Sequence, residues 1–334
     1  MFELTCGENN DVSNHTAFPV LTKDECRSVL EHVRTVGAVR FPWEFAAMTV
    51  AFLLSLISCL LLITDNLALH LTAVLSLASA LLLLQLLLHE CAHNALFRSR
   101  LLNGAFGWLT GLFILTPFFS YRRGHSIHHS FLGTPLDPTA APGSHHRWQR
   151  LVNFLVAVRV VPVLYLGGVY GPYLLFDFLR RKHQSSLCFA GYCCNLLAIL
   201  LLHSLLATVI GVDRWLVCLA AAFWLSGLLY EYLFTQNQHV GLLPGGKAEA
   251  EGRYRFRQQV NFSRSVQLPC SGLFLYFNLH KEHHLFPHLP CRSLPRVHQW
   301  LQTHRRDVLE FTSEHLGVLQ RRSDLNLFSP TAGD

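Results

Sequence analysis

The sequence predicts an all-α integral membrane protein: four transmembrane helices in two hairpins, with interfacial helices and a polar cap on one side. Three observations carry that expectation. The 334 residues are 51% hydrophobic and only 14% charged, whereas a soluble domain averages about 25% charged and needs a charged surface. The apolar residues lie in long uninterrupted blocks of the length that crosses the hydrocarbon core of a bilayer. The chain also holds 20 histidines, several of them grouped at short regular intervals beside the apolar blocks.

The first uncharged apolar run is Phe45 to Thr64, and a polar break at Asp65-Asn66 separates it from Leu67 to Leu88. Two spans so close in sequence make a helical hairpin. A second hairpin is read from Ser185 to Ile210 and Trp215 to Thr235, with Gly211-Val212-Asp213-Arg214 as the break. Two further apolar stretches contain helix breakers: Leu101 to Phe119 with Gly104, Gly107, Gly111 and Pro117, and Leu151 to Leu179 with Pro162, Gly167, Gly168 and Pro172. Such residues favour kinked, interfacial or re-entrant pieces. Residues 1–44 read as a soluble lead with one helix around Asp24 to Val36 and no cleavable signal pattern. From Gln236 onward the chain stays polar and should cap one membrane face. The expected organisation is a lead over 1–44, a membrane domain with its cap over 45–310, and a tail over 311–334.

The formal net charge is +6, and the basic residues gather between the apolar blocks at Arg98, Arg100, Arg122, Arg123, Arg180 to Lys182 and Arg253 to Arg257. In a membrane protein this is the positive-inside bias rather than a nucleic-acid surface. The ten cysteines form no CxxC pair; those within apolar blocks, such as Cys59 and Cys218, read as small core residues in a reducing compartment.

The histidines are more specific. His89-Glu90-Cys91-Ala92-His93 ends the second apolar run, and its i, i+4 spacing puts two imidazoles on one helix face. His125-Ser126-Ile127-His128-His129 and His280-Lys281-Glu282-His283-His284 repeat a common i, i+3, i+4 spacing, which gathers three rings on one side. A single HxxxH pair is often a surface feature. Three clusters, two with identical spacing, on a chain with this membrane pattern point to metal ligation. Imidazole suits iron, zinc, copper and nickel, so ligand type alone leaves the metal open.

These three clusters resemble the histidine boxes of the membrane fatty acid desaturase family. The text Asn278-Leu279-His280-Lys281-Glu282-His283-His284-Leu285-Phe286-Pro287 is similar to that family's third-box signature, and Gly133 and Asp137 follow the second box in familiar positions. The resemblance covers roughly residues 45–310. It implies two non-haem iron ions as cofactors and one more ligand just beyond the last span, for which His239 is the matching residue. The implied ligand set is then His89, His93, His125, His128, His129, His239, His280, His283 and His284.

If the boxes meet, they lie on one membrane face. No net crossing can then separate His93 from His125, which makes Leu101 to Phe119 interfacial or re-entrant. An even number of crossings must separate His129 from His280, so Leu151 to Leu179 does not span. Four spans result, with both termini on the box side. That side holds nearly all the Lys and Arg between spans, which places it in the cytosol.

Metal-bound histidines usually donate their second ring N–H to a carboxylate or carbonyl. Asp137, Glu90 and Glu282 lie near the boxes, and Glu231 shares a helix face with Thr235 and His239 at intervals of four. An acid so deep in an apolar helix is a functional suspect, although the headgroup zone beside Tyr230 and Tyr232 also accounts for it. Gln85 lies one turn before His89. Arg122, Arg123, Lys247, Arg253 and Arg255 read mainly as a solvated basic rim.

The resemblance implies an O2-dependent oxidoreductase that introduces a double bond into a fatty acyl chain carried by a lipid, coenzyme A or a carrier. Hydroxylases, ketolases, acetylenases and alkene-forming decarboxylases share the same boxes. No haem, ferredoxin or dinucleotide motif occurs in the sequence, so electrons come from an external donor of ferredoxin or cytochrome b5 type. No catalytic residue beyond the metal ligands is indicated. His89 to His93 also matches the HExxH helix of zinc proteases, with Glu90 as base, but that reading leaves the other two clusters unexplained. A metal transporter would place polar residues inside several spans, where few occur.

Overall fold

The computed structural model describes residues 21–38, 42–132, 186–230, 233–234, 238, 263–309 and 313–314. They form α1 (Lys23–Val36), α2 (Trp43–Leu62), α3 (Leu67–Ala92), α4 (Arg100–Phe113), α5 (Phe118–Phe131), α6 (Ser186–Ile210), α7 (Val212–Tyr230), α8 (His280–Leu285) and α9 (Leu294–His304). Helices α2, α3, α6 and α7 are long and apolar enough to cross a membrane. The expected stretch from Leu151 to Leu179, the first 20 residues of the lead and the tail beyond residue 314 lie outside the described residues.

Helix α3 is the central post. Its crossing window is 61% buried, against 17% for that of α6, because α2, α7 and α4 all pack on α3 while α6 touches α7, α4 and α5. On α6, Leu197, Leu200, Leu201 and Leu205 face outward, as lipid-facing residues do. Asn66 starts α3 by accepting the Ala68 and Leu69 N–H groups at 2.9 and 3.4 Å. The buried Ser58 hydroxyl contacts the Leu54 carbonyl on its own helix and the Ala73 carbonyl of α3 at 2.8 and 3.0 Å, which ties α2 to α3.

The two interhelical breaks meet at one end. Arg214 donates to the Thr64 carbonyl at 3.1 Å and ion-pairs with Asp65. The sequence placed a four-residue break at 211–214, but only Gly211 interrupts the helices. Its φ of +107° suits glycine and strains other residues. Val212 to Arg214 instead open α7, with the Asp213 carboxylate in the first turn, where a helix end is electropositive.

Helices α4 and α5 are bent by 105° at a short break. Gly107 leaves room for the Phe118 ring and Gly111 for the Thr116 carbonyl; a Cβ at either position would collide. A broken helix exposes polar ends that lipid cannot satisfy. Here α6 satisfies them. His203 meets the Leu112 carbonyl at 2.9 Å, and the Asn195 amide oxygen accepts the Phe118 N–H at 2.8 Å.

Outside the spans, α1 falls where the sequence placed a helix. It opens with a reciprocal Thr22–Glu25 capping box and buries Val29 and Val33 in a cluster with Val297, Trp300 and Leu301 of α9. Arg305 holds it there by binding Glu25 and Asp307, each at 2.7 Å. Among the described residues, one short pairing departs from the all-helical expectation: Val266–Gln267 runs parallel to Ser313–Glu314. Two residues per strand are too few to leave a periodic signal.

Glu44, in the first turn of α2, is 1% exposed and pairs with Arg292 at 3.1 Å, and the Arg292 side chain is 35% exposed. Stripping one partner from a fully buried pair costs ~3–5 kcal/mol; solvent around the guanidinium reduces the expected loss for Arg292→Ala to roughly 1–3 kcal/mol. Thermal unfolding in detergent should show a lowered midpoint for Arg292→Ala and substantial recovery in Glu44→Gln/Arg292→Met. An unchanged midpoint for Arg292→Ala contradicts this assignment.

Candidate metal centre

Three helix ends deliver the histidines. The last turn of α3 presents His89, and its C-cap is His93. Asn94, at φ 57°, then turns the chain aside, and its side chain is held by Arg122 at 3.0 Å. Beyond the elbow, α5 carries His125, His128 and His129; the six-residue α8 carries His280, His283 and His284.

The structure sorts these eight rings into two groups. His89, His93, His125, His129 and His283 form one, and His128, His280 and His284 the other; within each, one nitrogen per ring lies within 4.8 Å of the rest. The i, i+3, i+4 spacing gathers three rings on one side of a helix, and the structure divides each such trio between the two groups. Residues i and i+4 stand about 40° apart around a helix, while i+3 stands about 60° away on the opposite flank. The i, i+4 pairs therefore stay together. The i+3 rings, His128 and His283, cross to the other group, so α5 and α8 each serve both.

The donor set fits a cation such as iron. The Nε2 atoms of His93 and His125 are 2.8 Å apart, those of His125 and His129 3.1 Å, and those of His129 and His283 3.3 Å. An imidazole nitrogen offers either one N–H or one lone pair, so a single Nε2 cannot satisfy two such neighbours at once. A shared metal ion can serve all of them. Both nitrogens of buried His89 lack a hydrogen-bond partner. Nitrogen-only donors match iron, zinc or copper rather than calcium or magnesium.

Aromatic side chains wall the groups. Phe277 meets His89 edge-on at 4.7 Å and Tyr121 stacks on His125 at 5.4 Å. Behind Phe277 stand Tyr230 and Phe234. Burial holds the pKa values of His125, His129 and His283 well below 6.5 and pushes that of His93 down to about 3, with neighbouring charges adding to the effect. These four rings are neutral at pH 7, as metal ligands must be.

The carboxylates differ from expectation. Glu90 accepts the Cys291 N–H at 3.1 Å, while its other oxygen is 3.6 Å from His89 Nδ1, too far for a good hydrogen bond. Glu282 is fully buried and uses its oxygens on Ser265 and on His298 Nδ1. Burial opposes protonation of His298, but the hydrogen bond and charge of Glu282 together raise its pKa. In the sequence His298 fits no histidine cluster and carries no spacing signal, and Ser265, Tyr121 and Phe277 carry none either. Asp137, Glu231 and His239 lie outside the described residues.

The depressed histidine pKa values fix the sign of a pH effect. As pH drops below about 6.5 the unfolded chain takes up protons first, while the buried rings resist until far lower pH, His93 to about 3. Stability of chelator-treated protein should be greatest above pH 6.5 and fall steadily below it. A thermal midpoint that stays flat as pH falls below 6.5 contradicts burial of neutral rings.

The sequence profile of the family described as "Fatty acid desaturase" matches residues 66–311, which include all three clusters. A fatty acid desaturase of Bacillus subtilis (strain 168) is 27% identical over 229 residues, 64% of this chain and 63% of its own length. A Delta(12) fatty acid desaturase of Mortierella isabellina is 40% identical over 47 residues, 14% of this chain and 12% of its own. A fatty acid conjugase of Calendula officinalis is 26% identical over 101 residues, 29% of this chain and 27% of its own. The chain spans less than two thirds of the length of these curated relatives. With the profile match reaching from the start of α3 past the end of α9, the chain belongs to the fatty acid desaturase family.

Proposed function

We propose that this chain is an O2-dependent di-iron oxidoreductase that introduces a double bond into a fatty acyl chain linked to a lipid, coenzyme A or a carrier protein. The observation that carries this reading is the pair of adjacent, buried, all-imidazole groups at the end of an apolar span. His89, His93, His125, His129 and His283 are assigned to one iron; His128, His280 and His284, with His239 as a fourth, to the other. Two irons in these positions supply O2 activation and removal of hydrogen from an unactivated methylene.

The protein's own part is placement and exclusion of water. Phe277, Tyr230 and Phe234 form an aromatic wall between the rings and α7, which keeps that side dry and apolar, as an acyl chain requires. Asp137 and Glu231 are proposed to orient ligand rings. A zinc protease reading of His89 to His93 needs Glu90 free to act as a base, whereas Glu90 is buried and accepts the Cys291 N–H.

Two hairpins, α2 with α3 and α6 with α7, are the membrane architecture we favour, with α4 and α5 as a re-entrant pair. Ring contact between His93 and His125 supports this, because a net crossing between them would separate the rings. Arg98 precedes α4, Arg100 opens it, and Arg122 and Arg123 lie on α5, which also carries His125, His128 and His129, so the positive-inside rule puts the site and both termini in the cytosol. Electrons then arrive from a soluble or membrane-bound ferredoxin or cytochrome b5-type donor docking there.

Lipid profiling of an expressing host should reveal a new double bond at one acyl position that is absent with His128→Ala. Purified protein should turn over only when a donor and its reductase are added. An unchanged lipid profile with wild-type protein, or the same product from His128→Ala, contradicts the assignment.

A further inference from the structure

The third cluster sits on the shortest α-helix among the described residues. Helix α8 has six residues and no side-chain cap, far below the length at which an isolated helix holds itself. Yet its rings must diverge accurately, with His283 in one group and His280 and His284 in the other. The orientation of α8 is therefore imposed from outside.

The lever is Glu282. Two residues on from His280, it stands about 200° around the helix, opposite the three rings. Its carboxylate is fully buried, and each oxygen has its own partner: Ser265 on one, His298 Nδ1 on the other. The Ser265 hydroxyl oxygen also accepts the Lys281 N–H at 3.1 Å, an amide in the first turn of α8 that the helix itself leaves unsatisfied. The same strand is fixed to the residues before α8, since Val266 and Asn278 exchange bonds of 2.9 and 2.7 Å. His298 comes from α9. A histidine nitrogen facing a carboxylate carries its proton in either charge state of the ring, and the Gln302 amide meets the other nitrogen at 2.9 Å.

We infer that Ser265 and His298 are positioning residues that clamp Glu282 from behind and so set how α8 presents its rings to both histidine groups. Neither residue belongs to a histidine cluster. Both line a cavity of about 200 Å³ that also reaches Asn278 and Leu279, just before α8, so removing either lets solvent replace a fixed bond to Glu282. The inference rests on the di-iron reading above, since the clamp matters only if the rings hold metal.

The test compares iron retention against a chelator in detergent-purified wild type, His298→Leu, His298→Asn, Ser265→Ala and Arg305→Ala, with Mössbauer spectra of the loaded proteins. Asparagine keeps an N–H donor near the position of Nδ1; Arg305→Ala loosens the far end of α9 without touching Glu282. Loss of partners behind metal ligands typically weakens metal affinity by about ten- to 100-fold. We expect that loss in His298→Leu and Ser265→Ala, with altered spectra for both irons because α8 serves both groups. His298→Asn and Arg305→Ala should stay near wild type. Wild-type retention in Ser265→Ala, which removes a single oxygen and is the mildest change, overturns the clamp, as does equal iron loss from His298→Asn and His298→Leu. Wild-type protein that binds no iron overturns the di-iron reading and the clamp with it; iron-loaded wild type beside unaffected variants overturns the clamp alone.

Discussion

Everything in this fold answers to one electrostatic constraint: eight imidazoles are crowded at ring contact in a buried space, with nitrogen facing nitrogen. Such a cluster is costly without a cation, because each ring loses water and cannot recover a full set of hydrogen bonds from its neighbours. The surrounding architecture supplies three helix ends that converge on one place. Helix α3 has 26 residues, more than the roughly 20 that a bilayer needs, and its last turn carries His89. The α4–α5 pair is bent by 105°, and the rings of His93 and His125 meet with their Nε2 atoms 2.8 Å apart. Helix α8 is held from outside because it is too short to orient itself.

The parts of this arrangement readable in the sequence are those with a repeating signal. Lipid demands long apolar runs, so the four spans stand out, and pairs at i, i+4 such as His89 and His93 or His280 and His284 share a helix face in any helical context. The division into two groups was less legible. It depends on the i+3 rings reaching across, which is a matter of how α3, α5 and α8 approach one another and not of spacing within any of them.

Other features left no trace because they are single residues acting over long separations. Asn195 reaches Phe118 across 77 positions, and His203 reaches Leu112 across 91; in the sequence each is only an isolated polar residue in an apolar run. The break at Gly211 was placed too broadly because Asp213 and Arg214 look like loop residues, whereas both are compatible with the first turn of a helix. His298 looked unattached because its partner, Glu282, is buried behind the very cluster it helps to hold. The histidine clusters are thus announced by pattern, and the residues that contact them from a distance in sequence by tertiary structure alone.

On the proposed function, two metal ions occupy two distinguishable histidine groups. Elemental analysis of purified wild type beside a His280→Ala/His284→Ala variant tests it most directly. About two irons per wild-type chain are expected, and about one in the variant, with the five-ring group retaining its ion. A single zinc per chain, or an iron content unaffected by loss of both rings, would contradict it.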